Sequence, residues 1–422
     1  MKKLFAKLPS DIKDASTLAF GNGFALAIPV LLSPLLTRIY SADHFGTLTI
    51  YLALIGFIGA FATGRLDFAI LISNSKKNAA HLFKIAVFFA MVVSGISFIT
   101  LFFTAGLIIE VFNAPGLANI IYLIPLNIFL YAIISATQNA LNREKEYRGI
   151  SISKSIRSLF VGVSQLCFGL VGFNQSGLII GKLIGDVFSG GYLGFQVQRL
   201  GVYLSQKFTL KRGIVLFKQN DKYLKYNAPH ATVTALSTSS TALLLGYFFG
   251  DKIVGYYGLS FMVCIAPVTI ISTAFYPVFS QKVSEMFNSG IEIRSYTKKS
   301  IQVLALISFI PFILLMIFGP DIFSAIFGEE WKTSGDFVQI LAPYLFLIFI
   351  LSPLTYIPLI YDRHRTSFMF EIFATVSRIT GLIIGGVLGD IFIALILFVG
   401  VSIIVQTANL FWISRLTLRG HA

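Results

Sequence analysis

Long apolar stretches alternate with short polar ones along the whole of this chain. Twelve apolar segments can be marked, at about 15–37, 46–72, 82–109, 119–141, 150–172, 177–198, 228–249, 257–281, 300–319, 337–361, 367–389 and 391–414. Each has about 20 residues or more, enough at 1.5 Å per residue to cross a hydrocarbon core of roughly 30 Å. The alternating segments of about ten residues that mark a membrane barrel are missing. The pattern predicts an all-α polytopic membrane protein with about 12 transmembrane helices.

Composition agrees: 56% of the 422 residues are hydrophobic and 12% charged, against roughly 25% charged in a soluble domain. The start, MKKLFAKLPSDIKD, is basic, but no small-residue cleavage site follows the first apolar run. That run reads as a retained helix. Cys167 and Cys264 both lie inside apolar runs, where they read as small buried hydrophobes and not as a disulfide or metal site.

The net charge of +14 would suggest nucleic acid if it were evenly spread, but it is not. An even number of spans puts both termini on one side. With the N-terminus inside, the inner segments hold 27 of the 33 Lys and Arg, beginning with Lys2, Lys3, Lys7 and Lys13 and ending with Arg415 and Arg419. Only Arg38, Lys252 and Lys332 fall outside, and Arg65, Lys182 and Arg378 fall within spans. This is a positive-inside distribution, so both termini are expected in the cytoplasm and the excess charge is attracted to anionic lipid.

No loop is long enough for a separate domain. The largest inner loop, 199–227, joins the sixth and seventh segments, which suggests six helices in 1–198, a cytoplasmic linker, and six in 228–422. A weak repeat supports this. Asp43-His44-Phe45-Gly46 follows the first segment and Asp251-Lys252-Ile253-Val254-Gly255 follows the seventh, with the two glycines 209 residues apart. Repeats with the same starting orientation are related by an axis along the membrane normal.

Charge inside the bilayer is costly and marks candidate chemistry. Arg378 lies near mid-depth in the eleventh segment, with Glu371 two turns earlier on the same face. It is either bonded within the bundle or lines a substrate cavity. Lys182 and Asp186, at i and i+4, share a face of the sixth segment. Either they neutralise each other, or the lysine adds positive potential while the aspartate binds a coupling cation. Arg65 and Asp67, toward the inner end of the second segment, point to different faces unless the helix breaks after Gly64. With Lys154 and Arg157 they are candidates for a basic inner vestibule.

Prolines 29, 34, 229, 267, 277, 343, 353 and 358 interrupt several spans, freeing carbonyls and permitting bends. Ser237, Ser240 and Thr241 belong to an unusually polar stretch of the seventh segment. It either packs tightly or forms a cavity wall facing water. No nucleophile–base–acid set, phosphate-binding loop or metal-ligand spacing occurs, so no enzyme activity, cofactor or metal is expected.

Several runs resemble the bacterial polysaccharide flippases, the O-antigen and capsule transporters of the multidrug/oligosaccharidyl-lipid/polysaccharide exporter (MOP) superfamily. These are Thr37-Arg38-Ile39-Tyr40-Ser41 with Asp43 and Phe45-Gly46; Gly64-Arg65-Leu66-Asp67-Phe68-Ala69-Ile70; Leu141-Asn142-Arg143-Glu144-Lys145-Glu146-Tyr147; Tyr223-Leu224-Lys225-Tyr226-Asn227-Ala228-Pro229 with Gly246-Tyr247-Phe248-Phe249-Gly250 and Gly255-Tyr256-Tyr257; and Phe327-Gly328-Glu329-Glu330-Trp331 with Gly335. Each is loose alone, but their order and spacing cover nearly the whole chain. Relatives often have Glu where Asp67 stands.

The resemblance implies two six-helix bundles around a central cavity, alternating access in the inner membrane, and a lipid-linked (undecaprenyl-diphosphate) oligosaccharide as cargo. Its dianionic headgroup would be held by Arg378, Lys182 and Arg65. Asp186, Asp67 and Glu371 are the candidates for coupling to a proton or sodium gradient. Polysaccharide polymerase and chain-length proteins are the implied partners. Two other readings stand beside it. A cation-coupled multidrug exporter would need acidic, aromatic sites, and a membrane-embedded glycan polymerase would need a large outer loop.

Overall fold

The computed structural model describes residues 10–417; Lys2, Lys3, Lys7 and Arg419 of the charge pattern lie outside the described residues. Among the described residues there is no strand, and eleven helices are long and apolar enough to cross a membrane. A twelfth long helix, Tyr147–Leu170, coincides with the fifth predicted segment. It falls short only in apolarity, because Arg148, Lys154, Arg157 and Gln165 interrupt it. The most polar span is therefore the one that carries the chemistry described below.

The chain divides into two compact units, 1–255 and 256–422. The first contains α1 (Ser10–Ile39), α2 (Ala42–Gly59), the short α3 (Leu66–Leu71), α4 (Lys76–Val111), α5 (Ile124–Arg143), α6 (Tyr147–Leu170) and α7 (Asn174–Arg199). Two short helices, α8 (Val202–Ser205) and α9 (Leu210–Gln219), lead to α10 (Ala228–Phe249). Helix α11 (Asp251–Asn288) begins at the end of this unit. The second unit holds the rest of α11, α12 (Arg294–Phe327), α13 (Lys332–Leu351), α14 (Ile357–Ile360), α15 (His364–Val387) and α16 (Ile391–Leu416).

Three helices far exceed the span their apolar segments require: α4 has 36 residues, α11 has 38 and α12 has 34. At 1.5 Å per residue these reach about 50–57 Å, well past the hydrocarbon core. Two predicted segments are broken instead. The second, 46–72, stops at Gly59 and resumes at Leu66, across a turn in which Gly64 and Arg65 both take left-handed backbone (φ 60° and 57°). The tenth loses its α geometry after Leu351, where Pro353 lies in a 3-10 turn ahead of α14. Proline has no N–H to continue the ladder there.

In the first unit α1 packs on α6, α6 on α7, and α2 on α10. The two glycines read as repeat partners meet directly. A Cβ on Gly46 would strike the Asp251 backbone, and one on Gly255 would strike the Ala42 carbonyl. Small residues at these two helix starts let the backbones touch, as membrane helix contacts commonly require. Ser41 sets the start of α2: its N–H donates to His44 Nδ1 (3.4 Å), half of a reciprocal capping box. In the second unit α12 packs on α13 and α15 on α16.

Candidate functional site

The α6–α7 contact is built on glycines spaced four apart. A Cβ on Gly181 would collide with Gln165, and one on Gly185 with Val161 and the Arg157 carbonyl. Close backbone approach of this kind compensates for the lack of hydrophobic drive between helices in lipid. It also carries charged side chains into reach of one another. Asp186 on α7 is 1% exposed. One of its oxygens accepts from Lys182 Nζ (2.6 Å), the other from Arg157 Nε of α6 (2.5 Å). Lys182 Nζ also donates to Asn127 Oδ1 on α5 (2.8 Å), and Asn127 Nδ2 donates to Tyr51 Oη on α2 (2.7 Å). Four helices thus share one polar network near mid-span.

The predicted Lys182–Asp186 pair is formed, but it is not a neutral pair. Arg157 adds a second cation, and Lys154, three residues before Arg157 and on the same face, donates to Asn22 Oδ1 (2.7 Å). Two cations therefore share one acid, and a third lies one turn from Arg157 with an amide oxygen as its partner. Lys182 is buried, whereas the Arg157 side chain is 40% exposed. A buried carboxylate held by two charge-assisted bonds is satisfied. With Lys154 bonded to an amide and not to an acid, the cluster carries a net positive charge.

Asp67 sits in a separate pocket of polar groups. It is 1% exposed and accepts from Thr63 Oγ1 (2.8 Å), Ser135 Oγ (2.7 Å) and Asn139 Nδ2 (3.2 Å). Its bonds to Ser135 and Asn139 fasten the broken second span to α5. The helix is broken, over 60–65 and so already before Gly64, and Arg65 still does not pair with Asp67. The Arg65 guanidinium lies over the Phe68 ring at 5.3 Å, and its buried Nε has no hydrogen-bond partner among the described residues.

In the second unit, Arg378 lies fourteen residues into α15. Its Nε donates to the Ala374 carbonyl (3.0 Å) and its Nη1 lies 3.4 Å from Tyr344 Oη on α13. Glu371 is two turns away as expected, at a loose 3.8 Å, and is the more open of the pair with 42% of its side chain exposed. Both earlier readings of Arg378 therefore keep support: it is bonded inside its unit, and its only acidic neighbour there is distant. Ser237, Ser240 and Thr241 are all buried, and their helix, α10, packs on α2.

The structure joins Lys182 with Asp186, and Arg378 with Glu371, and keeps Arg65 apart from Asp67. Sequence reading placed Arg157 in a vestibule and missed its bond to Asp186. The signal was available as the spacing Gly177, Gly181, Gly185, which predicts a close neighbour along the same face as Lys182 and Asp186. Asn127 and Tyr51 were missed as well. An Asn amid the apolar run 120–134 was their only mark. Among the described residues no group of three or more His, Cys, Asp or Glu is placed to hold a metal.

Comparison with known proteins fits this architecture. A family model described as "Polysaccharide biosynthesis protein" matches residues 35–336. The lipopolysaccharide biosynthesis protein WzxC of Escherichia coli (strain K12) is 23% identical over 397 residues, covering 89% of this chain and 75% of WzxC. Among solved structures, an inward-facing multidrug resistance MATE family transporter of the MOP superfamily shares the fold with a TM-score of 0.74 at 16% identity, covering 95% of this chain and 96% of that one. The MATE multidrug transporter DinF-BH matches with a TM-score of 0.67 at 17% identity, covering 98% and 97%. The chain belongs to the polysaccharide biosynthesis protein family, and it shares the fold of solved transporters of the MOP superfamily.

Proposed function

We propose that this transporter flips an undecaprenyl-diphosphate-linked oligosaccharide from the inner to the outer leaflet of the bacterial inner membrane, for surface polysaccharide assembly. The observation that carries the reading is the surplus of cations inside the first unit, where Arg157 and Lys182 share the single acid Asp186 and Lys154, one turn from Arg157, finds only the Asn22 amide oxygen. A diphosphate headgroup supplies the missing negative charge, and an arginine fork suits phosphate oxygens. Arg65, with an unsatisfied Nε, and Arg378 are further ligands for it on this reading.

The transport cycle is alternating access of two six-helix halves, 1–198 and 228–422, about a central cavity, joined by the linker 199–227. Ser237, Ser240 and Thr241 contribute a polar wall. The charge bias puts both termini in the cytoplasm. Coupling to a proton or sodium gradient runs through Asp186, Asp67 or Glu371, of which Glu371 is the most exposed. Product emerging at the outer leaflet would pass to polysaccharide polymerase and chain-length proteins. The fold is shared with multidrug transporters, but a net positive charge in the Lys154–Arg157–Lys182 cluster repels cationic drugs.

The test is flipping in vesicles. The purified protein is reconstituted with a labelled undecaprenyl-diphosphate oligosaccharide, and the label reaching the far leaflet is scored with a membrane-impermeant glycosidase. Flipping that fails in Arg157→Gln supports the reading. Uptake of a cationic dye by the wild type, with no movement of the lipid-linked glycan, would replace it with drug export.

A further inference from the structure

The segment between α7 and α10 carries seven basic residues, Arg199, Lys207, Lys211, Arg212, Lys218, Lys222 and Lys225, against one acid, Asp221. Within it, α9 has ten residues. That is about 15 Å, too short to span a bilayer, yet it is strongly two-sided. Gly213 and Leu216 are buried, with Leu216 in the cluster formed by α3, α4, α5, α7 and Tyr203. The Phe217 ring stacks on Phe89 of α4 (5.7 Å), and Arg212 Nη2 donates to Asn78 Oδ1 at the start of α4 (3.0 Å). Lys84 of α4 ties down the preceding turn through the Leu204 and Gln206 carbonyls (3.3 and 2.5 Å).

That docking uses only part of the apolar arc. Leu210 and Ile214, at i and i+4 on the stripe that ends in Phe217, are 68% and 48% exposed, and Phe208 just before the helix is 45% exposed. Lys211 and Lys218, one turn-pair apart, flank this stripe on the solvent side. With Lys207 they are exposed, and none of the three forms an ion pair among the described residues.

The level of the helix is fixed by α4. Its exposed side chains are Lys76 and Lys77 at the start, then Phe88, Met91 and Val92 below Lys84. The change from lysine to large apolar side chains marks where lipid contact begins. Helix α9 is docked between Asn78 and Phe89 of α4, which is that boundary.

We propose that α9 and the turn before it form an interfacial anchor for anionic lipid. Leu210, Ile214 and Phe208 enter the acyl boundary of the leaflet on the basic side of the protein, and Lys207, Lys211 and Lys218 bind its anionic headgroups. A short amphipathic helix with lysines flanking exposed Leu, Ile and Phe lies in the interface plane by the same physics. The occupant is lipid and not a soluble partner because α9 runs from the lysine-bearing start of α4 at Asn78 to Phe89, beside its first exposed apolar side chains, so the stripe lies at that boundary. The inference is independent of what the transporter carries.

The test uses the full chain in vesicles, with Ile214→Cys spin-labelled in a Cys167→Ser background; Cys264 is buried. Collision with oxygen, which dissolves in lipid, is compared with collision with an aqueous nickel chelate. In vesicles containing phosphatidylglycerol the label should favour oxygen, and a label at Gln219→Cys on the far face should favour the chelate. Changing Lys207, Lys211 and Lys218 to Gln should shift the position-214 label toward the chelate, because each lysine near an anionic surface alters partition about fivefold. High salt should do the same. A position-214 label as open to the chelate as position 219 would overturn the anchor, whether the face meets water or a soluble partner. Equal oxygen preference in purely zwitterionic vesicles would overturn the headgroup recognition. All the substituted positions except Cys167 lie on α9 or the turn before it, and none of their side chains is among the buried ones.

Discussion

Arg157 of α6 donates its Nε to Asp186 of α7 at 2.5 Å, in a place where Lys182 already holds the other carboxylate oxygen at 2.6 Å. Two cations on one buried acid make Asp186 the pivot of the network. Removing its charge leaves both cations uncompensated, and breaking a buried pair from one side costs about 3–5 kcal/mol. Asp186→Ala should therefore lower the thermal unfolding temperature of the purified protein markedly. Adding Lys182→Ala should recover much of that loss, because Arg157 is half-exposed and water can solvate it. Flipping should not recover with it, since the double variant still lacks Lys182. A double variant as unstable as Asp186→Ala would contradict this account of the pair.

The same bond depends on the helices being close. A Cβ at Gly185 would meet Val161 and the Arg157 carbonyl. Overpacking of this kind costs about 1–3 kcal/mol, and here it also pushes α6 away from Asp186. Gly185→Ala should reduce both unfolding temperature and flipping, whereas Gly191→Ala, on the same helix with nothing near its Cβ position, should leave both unchanged. Equal effects at the two glycines would mean that helix propensity, and not the close approach, is responsible.

The spans were legible in the sequence because bilayer thickness acts on composition alone. The Lys182–Asp186 pair was legible because i, i+4 geometry is local. The bond between Arg157 and Asp186 was not, since it depends on which two helices touch, and only the glycine spacing on α7 hinted at that. The break at Gly64–Arg65 was anticipated as a condition and not as a fact. Nothing local distinguishes a glycine that permits a left-handed turn from one that packs. Asp67 illustrates the remaining gap. Helical spacing made Arg65 a poor partner for it but named no other, and the carboxylate is filled by hydroxyl and amide donors, two of them on α5.

That filling makes a prediction about the broken span. Hydrogen bonds to a charged group contribute about 1.5–3 kcal/mol, and Asp67 accepts three. Asp67→Leu should loosen the turn at 60–65, seen as faster amide hydrogen exchange there, and should lower stability. Asp67→Asn keeps the shape but brings an NH2 toward donors that need an acceptor, so it should recover only part. Full protection in Asp67→Leu would show that the turn is held by packing instead.

Arg378 tests the second unit. Its side chain is 13% exposed and its guanidinium reaches the Ala374 carbonyl, Tyr344 and, loosely, Glu371. If it binds the headgroup, Arg378→Ala should abolish flipping and surface glycan while the protein remains in the membrane. Arg378→Lys should retain only a minor part, because an ammonium lacks the guanidinium fork. Tyr344→Phe, which removes one long hydrogen bond, should have a small effect. Normal glycan in Arg378→Ala would remove Arg378 from the site.

A pH dependence should arise at the basic end, away from the spans. Glu144 is nearly buried and accepts from Lys76 Nζ (2.7 Å), Arg143 Nη1 (2.6 Å) and Tyr203 Oη (3.2 Å). Burial pushes its carboxyl pKa up, but the bonds and charges of Lys76 and Arg143 outweigh burial and hold it below the usual carboxylate range. A depressed pKa means the folded state binds the proton less readily than the unfolded chain. The stability it contributes is present above the ordinary carboxylate value and is lost as pH falls through the lower, folded value. Tyr203 works in the opposite direction. Burial, reinforced by the Glu144 charge, pushes its hydroxyl up to about 12, so its contribution is present below the ordinary value of about 10 and fades as pH rises from there toward 12. Amide exchange of α8, which carries Tyr203, should thus be slow near neutrality and accelerate at both acidic and strongly alkaline pH. Glu144→Gln should flatten the acid limb and shrink the alkaline one, since the neutral amide no longer opposes the tyrosinate and the folded value falls back toward the ordinary one. An unchanged acid limb in Glu144→Gln would assign the protonation to another carboxylate.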